Sequence, residues 1–227
     1  MNCCGRYSAA EKHFDRKVAE RDLRRYRHKG AQGITRTLLT ELRHWSLQEK
    51  HLLDVGAGIG VISAELAANG LSSTTLVEAS PAYLDTARRV TEPYFISRPA
   101  QFLLGDFTVI APTLNDADVV TLDRVVCCYP DAQALLRAAA SRTRQLLAFT
   151  YPRDRWYVRT TIALENFIRG LKQNVFRTFV HKPEDMNAVL EAAGFVRVTR
   201  RDTLVWALDI YQRNGAVSTI LDDTPQS

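Results

Sequence analysis

His51-Leu52-Leu53-Asp54-Val55-Gly56-Ala57-Gly58-Ile59-Gly60 is a short apolar run that ends in three alternating glycines. A brief, mostly apolar stretch closed by turn residues reads as a buried strand. Val61 to Asn69 then reads as a helix, with Gly70 placed for its C-terminal cap. Glycine lets the backbone turn sharply and lets a ligand approach where a Cβ would stand. A strand, a glycine turn and a helix in that order therefore mark the ligand edge of an open α/β sheet.

The same alternation continues downstream. Thr74 to Glu78 is β-rich, and Ser80-Pro81 supplies an N-cap and a first-turn proline for a helix over Tyr83 to Val90. Gln101 to Leu104 reads as a third strand closed by Gly105-Asp106. Val119 to Leu122 is a fourth, closed by Asp123, and Leu146 to Thr150 a fifth, after a helix over Asp131 to Arg142. Short buried strands alternating with helices predict a parallel, doubly wound α/β sheet. Right-handed crossovers put the glycine turn at its carboxyl edge. Residues 153–171 read as a helix rich in arginine and aromatics. Pro183 opens another helix, ended by Gly194. Val196, Val198 and then Leu204 to Tyr211 predict an antiparallel hairpin at the sheet edge.

Upstream, residues 11–30 look helical and charged until Gly30 and Gly33 break the pattern. Ile34, Leu38, Leu42 and Trp45 then fall on one helical face. The division expected is an N-terminal helical extension or lid over 1–48, one domain over 49–213 and a polar tail over 214–227.

The chain has 227 residues, 46% of them hydrophobic, enough for a core in one domain. It has no apolar run of a membrane-spanning length, and Met1 to Ala10 lacks the apolar stretch of a secretory signal. A cytoplasmic protein is expected. The net charge is +5, and Arg16, Lys17, Arg21, Arg24, Arg25, Arg27 and Lys29 form a basic cluster. It suits either a solvated helix face, given the interleaved Glu11, Asp15, Glu20 and Asp22, or an anionic partner. The cysteines stand as adjacent pairs, Cys3-Cys4 and Cys127-Cys128. That spacing does not match common zinc sites, so no metal is expected and the second pair reads as small buried side chains.

Three features sharpen the reading of the glycine turn. The dinucleotide fingerprint needs glycine at position 61, where Val61 stands. Asp54, two residues before Gly56, would repel a pyrophosphate and suits a cation. Glu78 ends the second strand, 20 residues after Gly58, where its oxygens can accept ribose hydroxyls. Asp106 can accept an adenine amino group while Phe107 packs on the ring.

On these residues the chain resembles the class I S-adenosylmethionine-dependent methyltransferases. The resemblance covers about residues 50–150 and rests on Leu53 to Gly60, Val77-Glu78-Ala79-Ser80-Pro81, Gly105-Asp106-Phe107 and Asp118-Val119-Val120 to Asp123-Arg124-Val125. It implies a Rossmann-like seven-stranded sheet whose last strand is antiparallel, and S-adenosylmethionine, with its ammonium and sulfonium, as cofactor. It further implies Asp54, Gly56, Gly58 and Gly60 near the methionine part, Glu78 with Ala79 at the ribose, and Asp106 with Phe107 near adenine. Asp123 and the residues after it would lie beside the methyl group. The stretches Glu11 to Arg16 and Asp123 to Asp131 are also similar to small bacterial magnesium-protoporphyrin O-methyltransferase-like proteins.

Methyl transfer is an in-line displacement, so alignment supplies much of the rate, and a base is needed only when the nucleophile is protonated. The candidate catalytic groups are Tyr129, His13 and His181, the histidines because their ordinary pKa lies near neutrality. Tyr151, Arg153, Arg155, Trp156, Tyr157 and Arg159 would suit a flat, anionic acceptor, or would pack aromatics on the core and leave arginines in water. The function expected is methyl transfer to a small acceptor, with oxygen favoured. Alternatives are RNA or protein methylation and a non-catalytic cofactor-binding regulator. The lack of an added nucleic-acid module, and Asp123-Arg124-Val125-Val126 in place of an amino-methylation signature, argue against a nucleic-acid partner.

Overall fold

The computed structural model describes residues 14–216. Its centre is a seven-stranded sheet in the order β3-β2-β1-β4-β5-β7-β6. The strands are β1 His51–Val55, β2 Ser73–Glu78, β3 Ala100–Leu104, β4 Ala117–Leu122, β5 Thr143–Pro152, β6 Phe195–Asp202 and β7 Trp206–Arg213. The helices are α1 Arg16–Lys29, α2 Gly33–Arg43, α3 Val61–Ala67, α4 Pro81–Thr91, α5 Phe107–Ile110, α6 Ala132–Arg142, α7 Trp156–Leu171 and α8 Pro183–Ala192.

β1 to β5 pair in parallel, and β7 runs antiparallel to both of its neighbours. The expected hairpin is present, but only β6 is at the edge. β7 lies inside the sheet, with Phe149 opposite Asp209 and Tyr151 opposite Ala207. Its near-continuous burial from Ala207 to Tyr211 fits that interior place, whereas β6 is largely exposed.

Local chemistry sets the helix starts. Asp15 accepts from the Val18 amide at 2.9 Å, Ser80 from the Tyr83 amide at 3.3 Å and Asp131 from the Ala134 amide at 2.8 Å. One sheet face packs α6 and α8 through Leu135, Leu136, Met186 and Leu190. The other packs α2 and α3 through Leu38, Leu42, Ile62 and Leu66. α2 thus belongs to the core, and Glu41 on it accepts from Arg201 of β6 at 2.8 Å. α1 sits on α3 and α4 through Ala19 and Leu23, which meet Ile59, Ala64 and Tyr83.

α7 differs from the rest. Its arginines are exposed or half-exposed, as one sequence reading has it, but its aromatics do not fill the core. Of its residues only Val158 is buried. The rest of the helix roofs a cavity. Among the described residues, no helix is long and apolar enough to cross a membrane.

Candidate functional site

The carboxyl ends of β1, β2 and β4 open into a cavity of about 820 Å³. Its floor is the glycine turn. The amides of Gly56 and Ala57 both donate to the Val77 carbonyl, at 2.8 and 3.1 Å, which ties the turn to the end of β2. Gly56 and Gly58 have φ of +61° and +57°, in the left-handed region that favours glycine. A Cβ on Gly56 would stand 2.4 Å from Val125, so there the glycine lets two loops touch. A Cβ on Gly58 would meet nothing nearer than the Tyr83 ring at 3.8 Å, so there the glycine keeps the floor open. Val61 starts α3 and packs between two hydrophobic clusters, which is why a third-position glycine is absent.

Carboxylates ring this floor. Asp54 is 1% exposed and accepts from Thr121 Oγ1 at 2.8 Å, its register partner on β4. Burial pushes its pKa up to about 7, with Asp123 and Glu78 adding repulsion and Thr121 and Ser63 opposing. Glu78 joins the two turns: Oε2 accepts from Gly58 N at 2.9 Å, and Oε1 from Ala79 N at 2.8 Å and Ser80 N at 2.9 Å. Burial raises its pKa and the three amides pull it back. Asp123 accepts from Thr35 Oγ1 at 2.5 Å and Thr150 Oγ1 at 2.7 Å. A cationic, hydroxylated ligand relieves the crowding of like charge here, so the residues present fit S-adenosylmethionine.

Asp106 caps α5 and accepts from the Thr108 amide at 2.9 Å and from the Tyr129 hydroxyl at 2.8 Å. Phe107 lines the cavity, but its ring is 1% exposed and belongs to the core, leaving little face for a ligand. Tyr129 lies at the cavity, and burial first, then Asp106, pushes its phenol pKa up. As placed it is a hydrogen-bond donor, not a ready proton acceptor. His181 does not line the cavity. Its Nε2 lies 2.9 Å from the Tyr129 carbonyl, and burial lowers its pKa. His13, Cys3 and Cys4 fall outside the described residues. Cys127 is buried and Cys128 half-buried at the cavity wall, their sulfurs 4.0 Å apart. Among the described residues, no group of three or more His, Cys, Asp or Glu is placed to hold a metal ion.

The other half of the cavity comes from residues that sequence reasoning largely missed. Phe14, Phe176, Phe179 and Tyr157 give it aromatic walls, and Arg169 and Arg177 give it charge. Phe14 sets its ring edge-on to Tyr83 and to Phe176, with centroids 5.4 and 5.3 Å apart, bridging the α1 side to the segment after α7. That segment is pinned to the loop after β4 by the Phe179 amide, which donates to the Cys127 carbonyl at 2.8 Å. The dense run Phe176-Arg177-Thr178-Phe179-Val180-His181 was the available signal.

Residues 52–145 match the methyltransferase domain family. A ubiquinone biosynthesis O-methyltransferase from Coxiella burnetii (strain Dugway 5J108-111) is 24% identical over 155 residues. The match covers 66% of this chain and 64% of that protein, a little under two thirds of its length. Among solved structures, magnesium protoporphyrin IX methyltransferase from Synechocystis PCC 6803, with bound SAH, superposes with a TM-score of 0.69 at 17% identity. The match covers 90% of this chain and 98% of that one. An O-methyltransferase family protein from Burkholderia thailandensis gives a TM-score of 0.62 at 17% identity, covering 79% and 56%.

Proposed function

We propose that this protein, whose residues 52–145 are a class I S-adenosylmethionine-dependent methyltransferase domain, moves a methyl group to an ionised oxygen of a small aromatic or anionic acceptor. The carrying observation is the two-ended cavity. Asp54, Glu78, Asp123 and the glycine turn form one end, and aromatic side chains with Arg169 and Arg177 the other. Its volume lies in the usual range of ligand pockets, roughly 300–1,000 Å³. The O-methyltransferase relatives support oxygen as the acceptor atom.

The cofactor supplies an electrophilic methyl group on a sulfonium. Gly58 leaves backbone open for close approach, and Asp54 offers a buried carboxylate to the cationic part. A carboxylate has about four acceptor positions, and three of those on Glu78 are taken by amides, two of them on Oε1. Oε2 therefore has room for a ribose hydroxyl. Tyr129 and Asp106, already bonded to each other, shape the adenine side. Tyr129 holds its proton and His181 lies off the cavity, so neither supplies a base. An acceptor that arrives as carboxylate or phenolate needs none, and Arg169 and Arg177 favour that form.

Titration calorimetry with S-adenosylmethionine, S-adenosylhomocysteine and NAD tests the cofactor end. Both adenosyl ligands should bind and NAD should not; no binding of either adenosyl ligand rejects the reading. Transfer of labelled methyl to phenols, aromatic carboxylates, amines and tRNA tests the other end. Label confined to amines or RNA rejects oxygen.

A further inference from the structure

We propose that α7 is a docking surface for an anionic membrane, lying in the plane of the lipid headgroups and setting the roof of the cavity against the bilayer. The inner side of the helix lines the cavity through Tyr157, Thr161, Ile162, Glu165 and Arg169. The outer side carries Trp156, Thr160, Leu164, Phe167 and Leu171, spaced four, four, three and four residues apart, which is one helical stripe. Trp156, Phe167 and Leu171 are 78%, 64% and 71% exposed. Sixteen residues at 1.5 Å each give a stripe about 24 Å long. The exposed Leu204 is tied to the first turn of the helix, where the Tyr157 hydroxyl donates to its carbonyl at 2.7 Å. Large apolar side chains lined up in the open on one helix face mark an interaction site.

Charge selects the occupant. Residues 153–182 hold seven Lys and Arg against two Asp and Glu, a net of +5. Both acids are already paired, Asp154 with Arg159 and Glu165 with Arg169. Arg155 and Lys172 are exposed at the two ends of the helix and make no ion pair among the described residues. α1, which lines the same cavity through Arg25 and Tyr26, repeats the balance: seven basic residues against two acidic. A second copy docking on α7 would set +5 against +5. A polyanion such as RNA would use the charge and leave the apolar stripe in water. An anionic bilayer satisfies both, taking Trp, Phe and Leu into the interface and drawing Arg and Lys to its headgroups.

Co-sedimentation with vesicles tests this, comparing pure phosphatidylcholine with a mixture containing about 40% phosphatidylglycerol. The protein should bind the mixture at least about tenfold more tightly than phosphatidylcholine and should be released by high salt. Trp156 emission should shift to the blue on binding, since Trp45 is buried and Trp206 half-buried. The variant Phe167→Glu/Leu171→Glu should lose at least about tenfold in vesicle affinity, while S-adenosylhomocysteine affinity and the unfolding midpoint stay at wild type. Arg155→Glu/Lys172→Glu should weaken only the binding to anionic vesicles, which keeps the test open if the first variant does not fold. Equal binding to both vesicles, binding to neither, or a dimer in sedimentation velocity that the Phe167/Leu171 variant dissolves would each overturn the proposal.

Discussion

The Tyr129 hydroxyl donates a hydrogen bond to Asp106 at 2.8 Å, from the loop after β4 to the cap of α5. The bond ties the two side chains together at the cavity wall through Asp106 Oδ1. Tyr129→Phe should therefore cost about 1 kcal/mol of stability, the net worth of one hydrogen bond. It should leave the pH dependence of turnover unchanged, because burial keeps this phenol protonated near neutrality. A rise of kcat with pH that vanishes in the variant would restore Tyr129 as a base.

With Asp54 at the cationic end of the cofactor, as proposed, cofactor affinity should depend on pH. Its pKa is raised from 3.8 to about 7 by burial, and a cationic ligand favours the ionised form. Calorimetric affinity should rise about tenfold between pH 6 and 8, and Asp54→Asn should flatten the curve. The sign for stability is opposite. The folded-state pKa lies above the unfolded value, so the stabilisation is complete below about 4 and is lost as pH rises through about 7. Without cofactor, Asp54→Asn should gain on wild type in unfolding midpoint from pH 5 to pH 8. A constant difference would reject the raised pKa.

Gly56 and Gly58 should part company under substitution. Gly56→Ala meets both a positive φ and Val125 at 2.4 Å, so its unfolding free energy should drop by more than about 2 kcal/mol. Adding Val125→Ala should recover part of that loss. Gly58→Ala meets the φ cost alone, about 1–2 kcal/mol, yet its methyl group enters the open floor. Its cofactor affinity should fall further than its stability does, as chemical denaturation and calorimetry together would show.

Glu78→Ala removes the proposed ribose acceptor and also unties two turns. The Gly58, Ala79 and Ser80 amides lose their partner, so stability should fall by about 1–3 kcal/mol and S-adenosylhomocysteine affinity well beyond tenfold. An unchanged dissociation constant in a folded variant would exclude Glu78 from the ribose.

Much of the cofactor end was legible in the sequence, because it is local. Residues 51–60, 77–81 and 105–107 each hold a strand end and its turn, and strand ends can be read from apolar runs closed by glycine or aspartate. The acceptor end was not legible, because it is assembled from afar. There Phe14 meets Phe176 across the cavity, and at the cofactor end Thr35, equally hidden, meets Asp123 across 88 residues. Nothing in the local pattern around Thr35 distinguishes it from other polar residues of an amphipathic helix. The interior place of β7 was hidden for the same reason. Its burial on both faces reads as plain hydrophobicity, while its neighbour β5 lies more than fifty residues earlier.

That placement of β7 has a consequence for how the chain is made. β5 and β6 are complete before β7 exists, yet neither pairs with the other. Until Trp206 to Arg213 leaves the ribosome, β5 presents an open edge of backbone amides and carbonyls, and Phe149 and Tyr151 lack Tyr211 and Asp209. The nascent protein thus carries an unfinished sheet from the completion of β5 until β7 emerges, open to pairing with the wrong strand. It closes only when the last strand in order slides between two that are already there.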